Sequence, residues 1–259
     1  MFSSTAINDW IGKQRLKLSL AVQMAFILAP VLTAAVPDLW AGEKGNEFPF
    51  SRAKIIIEFN STDNDVGAQV LLDGEPWQRV KIEAPNGRKI LDIRTSSSLR
   101  KQGLTELFFE SSEPSLDEVP LAEFLARFPE GVYEFEGKTI DGIELEGQAT
   151  FTHVIPAGPE IIAPVDGAVV DPDNVVIAWA PVTQTIMGSH NIAIRGYQVI
   201  VEQPDPLRVQ SMDLPAIVTS VKIPPEFFLL KNSLHKFEVL AIEEGGNQTI
   251  TSGSFVTMP

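Results

Sequence analysis

The chain has 259 residues, no cysteine, and 20 basic against 34 acidic side chains, for a net charge of −14. That balance repels phosphate backbones and anionic bilayers, and the missing cysteines exclude thiol catalysis, cysteine–zinc sites and haem attachment through cysteine. The length can supply one or two hydrophobic cores of ordinary size.

Lys13, Arg15 and Lys17 precede a run from Leu18 to Ala35 whose only polar members are Ser19, Gln23 and Thr33. A basic segment, an apolar stretch and then small residues follow the order of a secretory signal. Thr33 and Ala35 suit cleavage before Val36, and Ala41 offers a second cut. The run is also about 18 residues long, enough for an uncleaved anchor, but Pro30 and the small residues after it favour cleavage. The expectation is a secreted or periplasmic protein with residues 1–41 as signal peptide and lead-in. Their removal takes three cations and two anions from the chain and moves its charge from −14 to −15. Without disulfides, an exported chain must be stabilised by its core alone.

Residues 42–52 read as a polar lead-in, and short alternating apolar runs start at Lys54. Ile55, Ile57 and Phe59 alternate with Ile56 and Glu58, and Val70 and Leu72 follow across an acidic loop. Asp73-Gly74-Glu75-Pro76 reads as a turn. Val80 and Ile82, then Ile90 and Ile93, flank Pro85-Asn86-Gly87, and Asn-Gly between alternating runs is a strong hairpin signal. Leu104, Leu107 and Phe109 suggest a further strand. Ser115 is placed as a helix N-cap, with Asp117 and Glu118 in the first turn and Leu121, Phe124, Leu125 and Phe128 at helical spacing. That amphipathic helix should cover the sheet, since apolar stripes usually face their own core. Strands resume at Val132–Phe135 and, after Asp141-Gly142, at Ala149, Phe151 and His153.

Pro156-Ala157-Gly158-Pro159 interrupts the pattern as a short, semi-stiff joint. The expected division is an N-terminal β-rich domain with one helix over residues 42–156 and an all-β domain over 157–259. The second part gives seven strands: Ile161-Ile162, Val175–Trp179, Gly196–Val201, one around Val209, Val218–Ile223, Lys236–Ile242 and Ser254–Thr257. Seven strands in about 100 residues suit an immunoglobulin-like sandwich. Overall the fold class is mainly β, with two β-sandwich-like domains.

The order of side chains in residues 158–258 resembles a fibronectin type III domain. Pro164 lies in an opening proline-containing strand, and Trp179 stands where the family has its core tryptophan. Tyr197 with Val199 resembles the Tyr-x-Val of the third strand. Thr219-Ser220, Val221 and Ile223 resemble the strand leading to the Leu-containing corner. Phe237–Ala241 and Gly245-Gly246-Asn247 resemble the penultimate strand and its turn. One departure is plain: six residues beyond Leu229, where the family places a corner tyrosine, this chain has His235. An imidazole can make a related hydrogen bond from a partly buried ring; buried without a partner, it should cost on the order of 1–3 kcal/mol. The loop Glu243–Thr249 carries no Arg-Gly-Asp.

The sharpest chemical candidate is the loop Asn60–Gly67, where Asp63 and Asp65 could offer oxygens to calcium, with Asp73 and Glu75 beyond the next strand. The spacing fails the EF-hand pattern, because Leu71 or Gly74 stands where a Glu is required. A solvated acidic turn accounts for the same residues, and Asp171–Asn174 is a second loop of that kind. Trp77, after the Asp73–Pro76 turn, is a candidate exposed ring for sugar binding, weighed against core packing. His153, His190 and His235 are not at metal-ligand spacing. No Gly-x-Ser-x-Gly elbow and no Gly-rich phosphate loop are present. Asn60-Ser61-Thr62 and Asn247-Gln248-Thr249 match the N-glycosylation sequon.

The sequence therefore leads to an exported, non-catalytic binding or structural protein of the cell envelope or extracellular space, without a required cofactor. Its partners are expected to be a protein or glycan at the cell surface, with no nucleic acid and no membrane after signal cleavage. Contacts would come from the loops at the sandwich ends, Asp166–Asn174, Gln184–Ile194 and Glu243–Thr249. The alternatives are a calcium-dependent carbohydrate-binding module on Asp63, Asp65 and Trp77, and a secreted hydrolase using a carboxylate pair.

Overall fold

The computed structural model describes residues 47–259, and within them residues 47 to 259 belong to one compact unit. The signal segment expected over residues 1–41 lies outside the described residues. Fifteen strands are present among these. In the first half they are β1 (Glu47–Pro49), β2 (Arg52–Asn60), β3 (Asp65–Glu83), β4 (Lys89–Arg94), β5 (Leu104–Glu110), β6 (Gly131–Thr139) and β7 (Glu144–Phe151). In the second half they are β8 (Ile161–Ala163), β9 (Ala168–Val170), β10 (Val176–Trp179), β11 (Ile194–Pro204), β12 (Leu207–Pro215), β13 (Ser220–Lys222), β14 (Leu234–Glu243) and β15 (Gln248–Thr257). Two short helices, α1 (Ser97–Gln102) and α2 (Leu121–Arg127), complete the first half.

The 19-residue β3 organises the first lobe. Its first half pairs with β2 and β5 and its second half with β4 and β6. Asp73-Gly74-Glu75-Pro76 does not reverse the chain as the sequence suggested. Register shifts between Asp73 and Trp77 mark an irregularity there, so glycine and proline bend one strand between two sets of partners. The Asn86-Gly87 hairpin forms as expected: Val80 pairs with Ile93 and Ile82 with Leu91, and Gly87 turns at φ 75°.

Inward residues of β2, β3, β6 and β7 meet in one core that includes Ile55, Ile57, Leu72, Trp77, Ile82, Tyr133, Phe135 and Phe151. Phe50 enters that core because two glycines leave room. A Cβ on Gly137 would stand 2.7 Å from its Cζ, and one on Gly74 would stand 2.8 Å from its Cδ1.

The helix predicted from Ser115 is shorter than expected. It starts after Pro120, and Ser115 instead closes a separate turn in which its carbonyl accepts from Glu118 and Val119. Proline is well tolerated at a helix start and not beyond it, which sets the boundary. Phe124 is the buried contact of α2, whereas α1 buries no residue.

The second lobe is a sandwich whose seven expected strands all form, with β9 added. One sheet has the order β13-β10-β8, and the facing one runs β15-β14-β11-β12. Ile177 and Trp179 from the first sheet pack against Tyr197, Val199, Phe237, Val239 and Phe255 from the second. Trp179 is 1 % exposed, and its ring lies 5.3 Å from that of Tyr197. The strands that the fibronectin type III resemblance implies all form in chain order, and Trp179 and Tyr197 lie in the core.

The two lobes share a sheet. One edge of β15 is divided: Gln248, Thr249 and Ile250 pair in parallel with Glu58, Phe59 and Asn60 of β2, while Phe255 to Thr257 pair with β9. The result is a continuous 12-stranded sheet across both cores.

Candidate functional site

Strand pairing gathers side chains that are far apart in sequence. Glu58 stands opposite Gly67, and Gln69 stands opposite Glu110. These positions alternate with the core residues of β2 and β3, so they share the face turned away from the first core. Glu113 follows β5 and lies over Gly67, where an added Cβ would come within 2.9 Å of its Cγ. Carboxylate oxygens of Glu58, Glu110 and Glu113 all fall within 4.8 Å of one another.

Amides flank the group. Gln69 donates to Glu110 Oε1 at 2.8 Å, and Gln248 of the second lobe donates to Glu58 Oε2. Burial, and then the charges of Glu110, Glu58 and Asp65, hold Glu113 well above the usual carboxylate range. Glu113 therefore retains a proton at neutral pH and hydrogen-bonds Glu110. Asp65, at the start of β3, is pushed up to about 6 by burial and by its neighbours Asp63 and Glu110.

The same face continues into the second lobe. Leu240 and Ile250 stand opposite each other, Ile200 pairs with Glu238, and all three apolar residues are buried although they point away from the second core. Glu238 is pushed up to about 7 by burial and by Glu202, with a contribution from Asp63. Carboxyl groups raised by burial and by neighbouring acids thus occur on this face in both lobes.

Of the expected calcium ligands, Asp65 borders the carboxylate group. Asp63 instead accepts from Asn60 Nδ2 at 3.1 Å within its own turn, whose Asn60 Oδ1 caps the amides of Thr62 and Asp63. That is the side-chain-to-backbone bonding of an Asx turn. Trp77 requires a correction. It is 0 % exposed and packs in the first core: strict alternation from Val80 and Ile82 would turn it outward, and the register shifts on either side of it turn it in. No ring face is offered to a sugar there. The residues that sequence reasoning missed are Glu58, Glu110 and Glu113; the first two sit where a polar residue on a solvated strand face is the ordinary expectation, and Glu113 sits in the polar stretch after β5.

The sandwich-end loops divide sharply. Glu243–Thr249, expected as a contact loop, is built into the joint between lobes. Asn247 is 2 % exposed. Its Oδ1 accepts from Ile57 N at 2.8 Å, and its Nδ2 faces Thr152 O, Thr152 Oγ1 and Val154 O at 2.9–3.1 Å. Glu243 accepts from the amides of Gly245 and Asn247, and Thr249 Oγ1 donates to Pro156 O. The Asn247 sequon therefore presents no free amide in the folded chain.

In Gln184–Ile194 the first residues also join the first lobe. Ala157 N donates to Gln184 O, Ile186 N donates to Ile155 O, and Ile186 packs on the first core. The tip remains outside, with Met187 79 % exposed. Asp166–Asn174 lies at the surface but is not all loop: it contains β9, paired with β15, and ends in a 3₁₀ turn that Asp171 caps through Asp173 N at 3.0 Å.

No protein-family model matches the chain, and no curated protein matches it. Among solved structures it is similar to the chicken CNTN1 FN1–FN3 domains, with 11 % identity over 83 % of this chain and 68 % of that one and a TM-score of 0.34. It is similar also to a segment of two fibronectin type III domains from chicken tenascin, at 9 % identity over 79 % and 97 %, TM-score 0.29. A third is the spore cortex lytic enzyme SleM of Clostridium perfringens, at 18 % identity, TM-score 0.28, over 39 % of this chain and only 28 % of the enzyme's length.

Proposed function

We propose that the protein is an exported, non-catalytic module that holds a protein or glycan partner at the cell surface from a stiff two-lobed body. The observation that carries this reading is the joint. Two cores are tied by a parallel strand pair and by buried polar side chains whose hydrogen bonds cross from one lobe to the other. A body that only had to fold would not need a second lobe fixed in direction; a spacer or presenting arm does. Its contacts fall to loops the joint leaves outside, the tip Met187–Asn191 and Asp166–Asn174. Against hydrolysis stands the burial of Glu58, 3 % exposed, and its bond to Gln248. Substrate and water would have to reach a carboxylate already enclosed and bonded.

The chain has no cysteine, so Ser98→Cys and Asp205→Cys can be spin-labelled without interference. One narrow distance distribution is expected; a broad one would remove the stiff-body reading. Export is tested separately by following the full chain into the periplasm or medium, with and without residues 1–41.

A second reading, cation binding, is favoured by the convergence of Glu58, Glu110 and Glu113 oxygens. A divalent ion would have to displace the proton on Glu113. Calorimetric titration with Ca²⁺ at pH 8 decides it, and absence of heat eliminates the reading.

A further inference from the structure

The far end of the second lobe, opposite the joint, holds an enclosed histidine. His235 is 0 % exposed. Its ring stacks on Phe255 at 5.2 Å and 8°, meets Phe228 edge-on at 5.0 Å, and has Phe227 at 6.2 Å. Nδ1 lies 3.0 Å from Ser233 O, so the neutral ring carries its proton on Nδ1 and donates it to that carbonyl. The corner hydrogen bond expected of an imidazole in the tyrosine's place is made. Nε2 is buried and has no partner.

The Ser233 carbonyl also accepts from Thr257 N, while Ser233 N donates to Thr257 Oγ1 and that hydroxyl faces Leu230 O. The imidazole is thus one of the fastenings that hold Leu230–Ser233 to β15. Leu229 and Leu230, in the same segment, are exposed at 61 % and 43 %.

We infer that His235 is an acid-sensitive clasp: a second proton on its ring releases the segment Pro224–Ser233 from the sandwich and uncovers Phe227 and Phe228. The protonated ring would place an N–H and a full charge among three phenyl rings, where an unpaired charge is far costlier than in water.

The surrounding charges do not relieve it. From β12, Arg208 lies over Phe227 at 5.5 Å and donates to Phe227 O, adding a like charge. Glu226 on a second 3₁₀ turn, Pro225–Phe227, Lys231 in the segment and Lys236 on β14 make no bond to the ring. Asp166, next to β15, is engaged by the amide and hydroxyl of Ser254. On β11, Glu202 pairs with Lys236, one residue short of the position beside His235. Extending that register by one residue brings Gln203 there, and its Oε1 is likewise buried without a partner, while its Nε2 donates to Pro206 O. That oxygen is the acceptor nearest in register, but it makes no hydrogen bond to the ring. Burial accordingly holds His235 below its ordinary value.

The sign follows. A histidine titrating lower in the folded state than in the unfolded one contributes stability that is complete above about pH 6.5 and declines as pH falls toward the folded value. Asp65 and Glu238 are raised groups and act in the opposite direction, so a local measurement is needed.

The experiment is limited proteolysis at Leu229–Ser233 on the whole chain, with an acid-tolerant protease, from pH 7.5 to 5.0. The ring of His235 is followed by NMR in the same samples. Cleavage is expected to accelerate at least about five-fold, the factor that corresponds to roughly 1 kcal/mol of local opening. His235→Tyr, which supplies a hydroxyl and no titrating ring, should abolish the acceleration. A titration midpoint for His235 at or above 6.5 overturns the inference, since Gln203 would then have captured the proton. So does cleavage that stays constant while the ring titrates. The wild-type titration alone suffices if the variant does not fold.

Discussion

The two ends of the second lobe are built on opposite principles. At the joint, loops are polar, enclosed and bonded across to the first lobe: Asn247, Glu243 and Thr249 are all buried and each has named partners. At the free end, the loop exposes leucines, and two enclosed side chains, Gln203 and His235, each retain an atom without a partner. The same sandwich therefore spends its polar groups on rigidity at one end and leaves the other end less tightly determined. A buried polar network gives direction and register only when complete, and the joint approaches that condition.

The largest expected effect comes from breaking the joint. Asn247→Ala removes an acceptor from Ile57 N and donors from Thr152 and Val154, leaving buried backbone groups unpaired. A loss of about 2–4 kcal/mol is expected in urea unfolding. Both lobes should loosen together in hydrogen exchange, and a loss confined to the second lobe would mean that the joint does not couple them. Next in size is Gly137→Ala. The new methyl would collide with Phe50 and Leu145 and should cost about 1–3 kcal/mol by overpacking. That loss belongs to the first core and should leave proteolysis at Leu229–Ser233 unchanged.

A smaller effect, of opposite sign, is expected at the carboxylates. Glu113 keeps in the folded state a proton that the unfolded chain releases above about pH 4.5, so its contribution to stability falls as pH rises through the folded titration. Glu113→Gln keeps a donor for Glu110 and removes that dependence. Stability at pH 8 should rise by about 1–2 kcal/mol, with a flatter profile from pH 5 to 9. If Ca²⁺ occupies the group instead, the wild type but not the variant will gain melting temperature on adding Ca²⁺.

What was legible in the sequence follows from range. The Asn86-Gly87 hairpin, the seven strands of the second lobe and the buried Trp179 rest on local periodicity and turn chemistry. The β2–β15 pair does not: parallel strands some 190 residues apart leave no turn between them to read. That one pairing turned Glu243–Thr249 from a contact loop into a joint and brought Gln248 to Glu58. Glu58, Glu110 and Glu113 were invisible for the related reason that each alone fits a solvated position, the first two on strand faces and Glu113 in the loop after β5. Trp77 was ambiguous because Gly74 and Pro76 look alike whether a chain reverses or bends. His235 could be singled out because a family pattern supplied the expected tyrosine; its second, bare nitrogen could not be read without the rings around it.

The smallest stability effect is expected at the free end, and it separates holding from contact. Leu229→Ser with Leu230→Ser alters residues already in water, so unfolding should shift by no more than about 0.5 kcal/mol. Exposed neighbouring leucines favour association when they lie on a partner's path, because covering them removes apolar area from water. If the free end is a contact surface, the double variant will keep its melting temperature and, on the proposed function, lose retention of residues 42–259 on a cell-envelope fraction. Replacing Met187 at the joint-side tip by Ser serves as the control at the other end. Equal retention by the double variant, with retention lost on changing Met187, would assign contact to the joint side and leave the leucines as incidental surface.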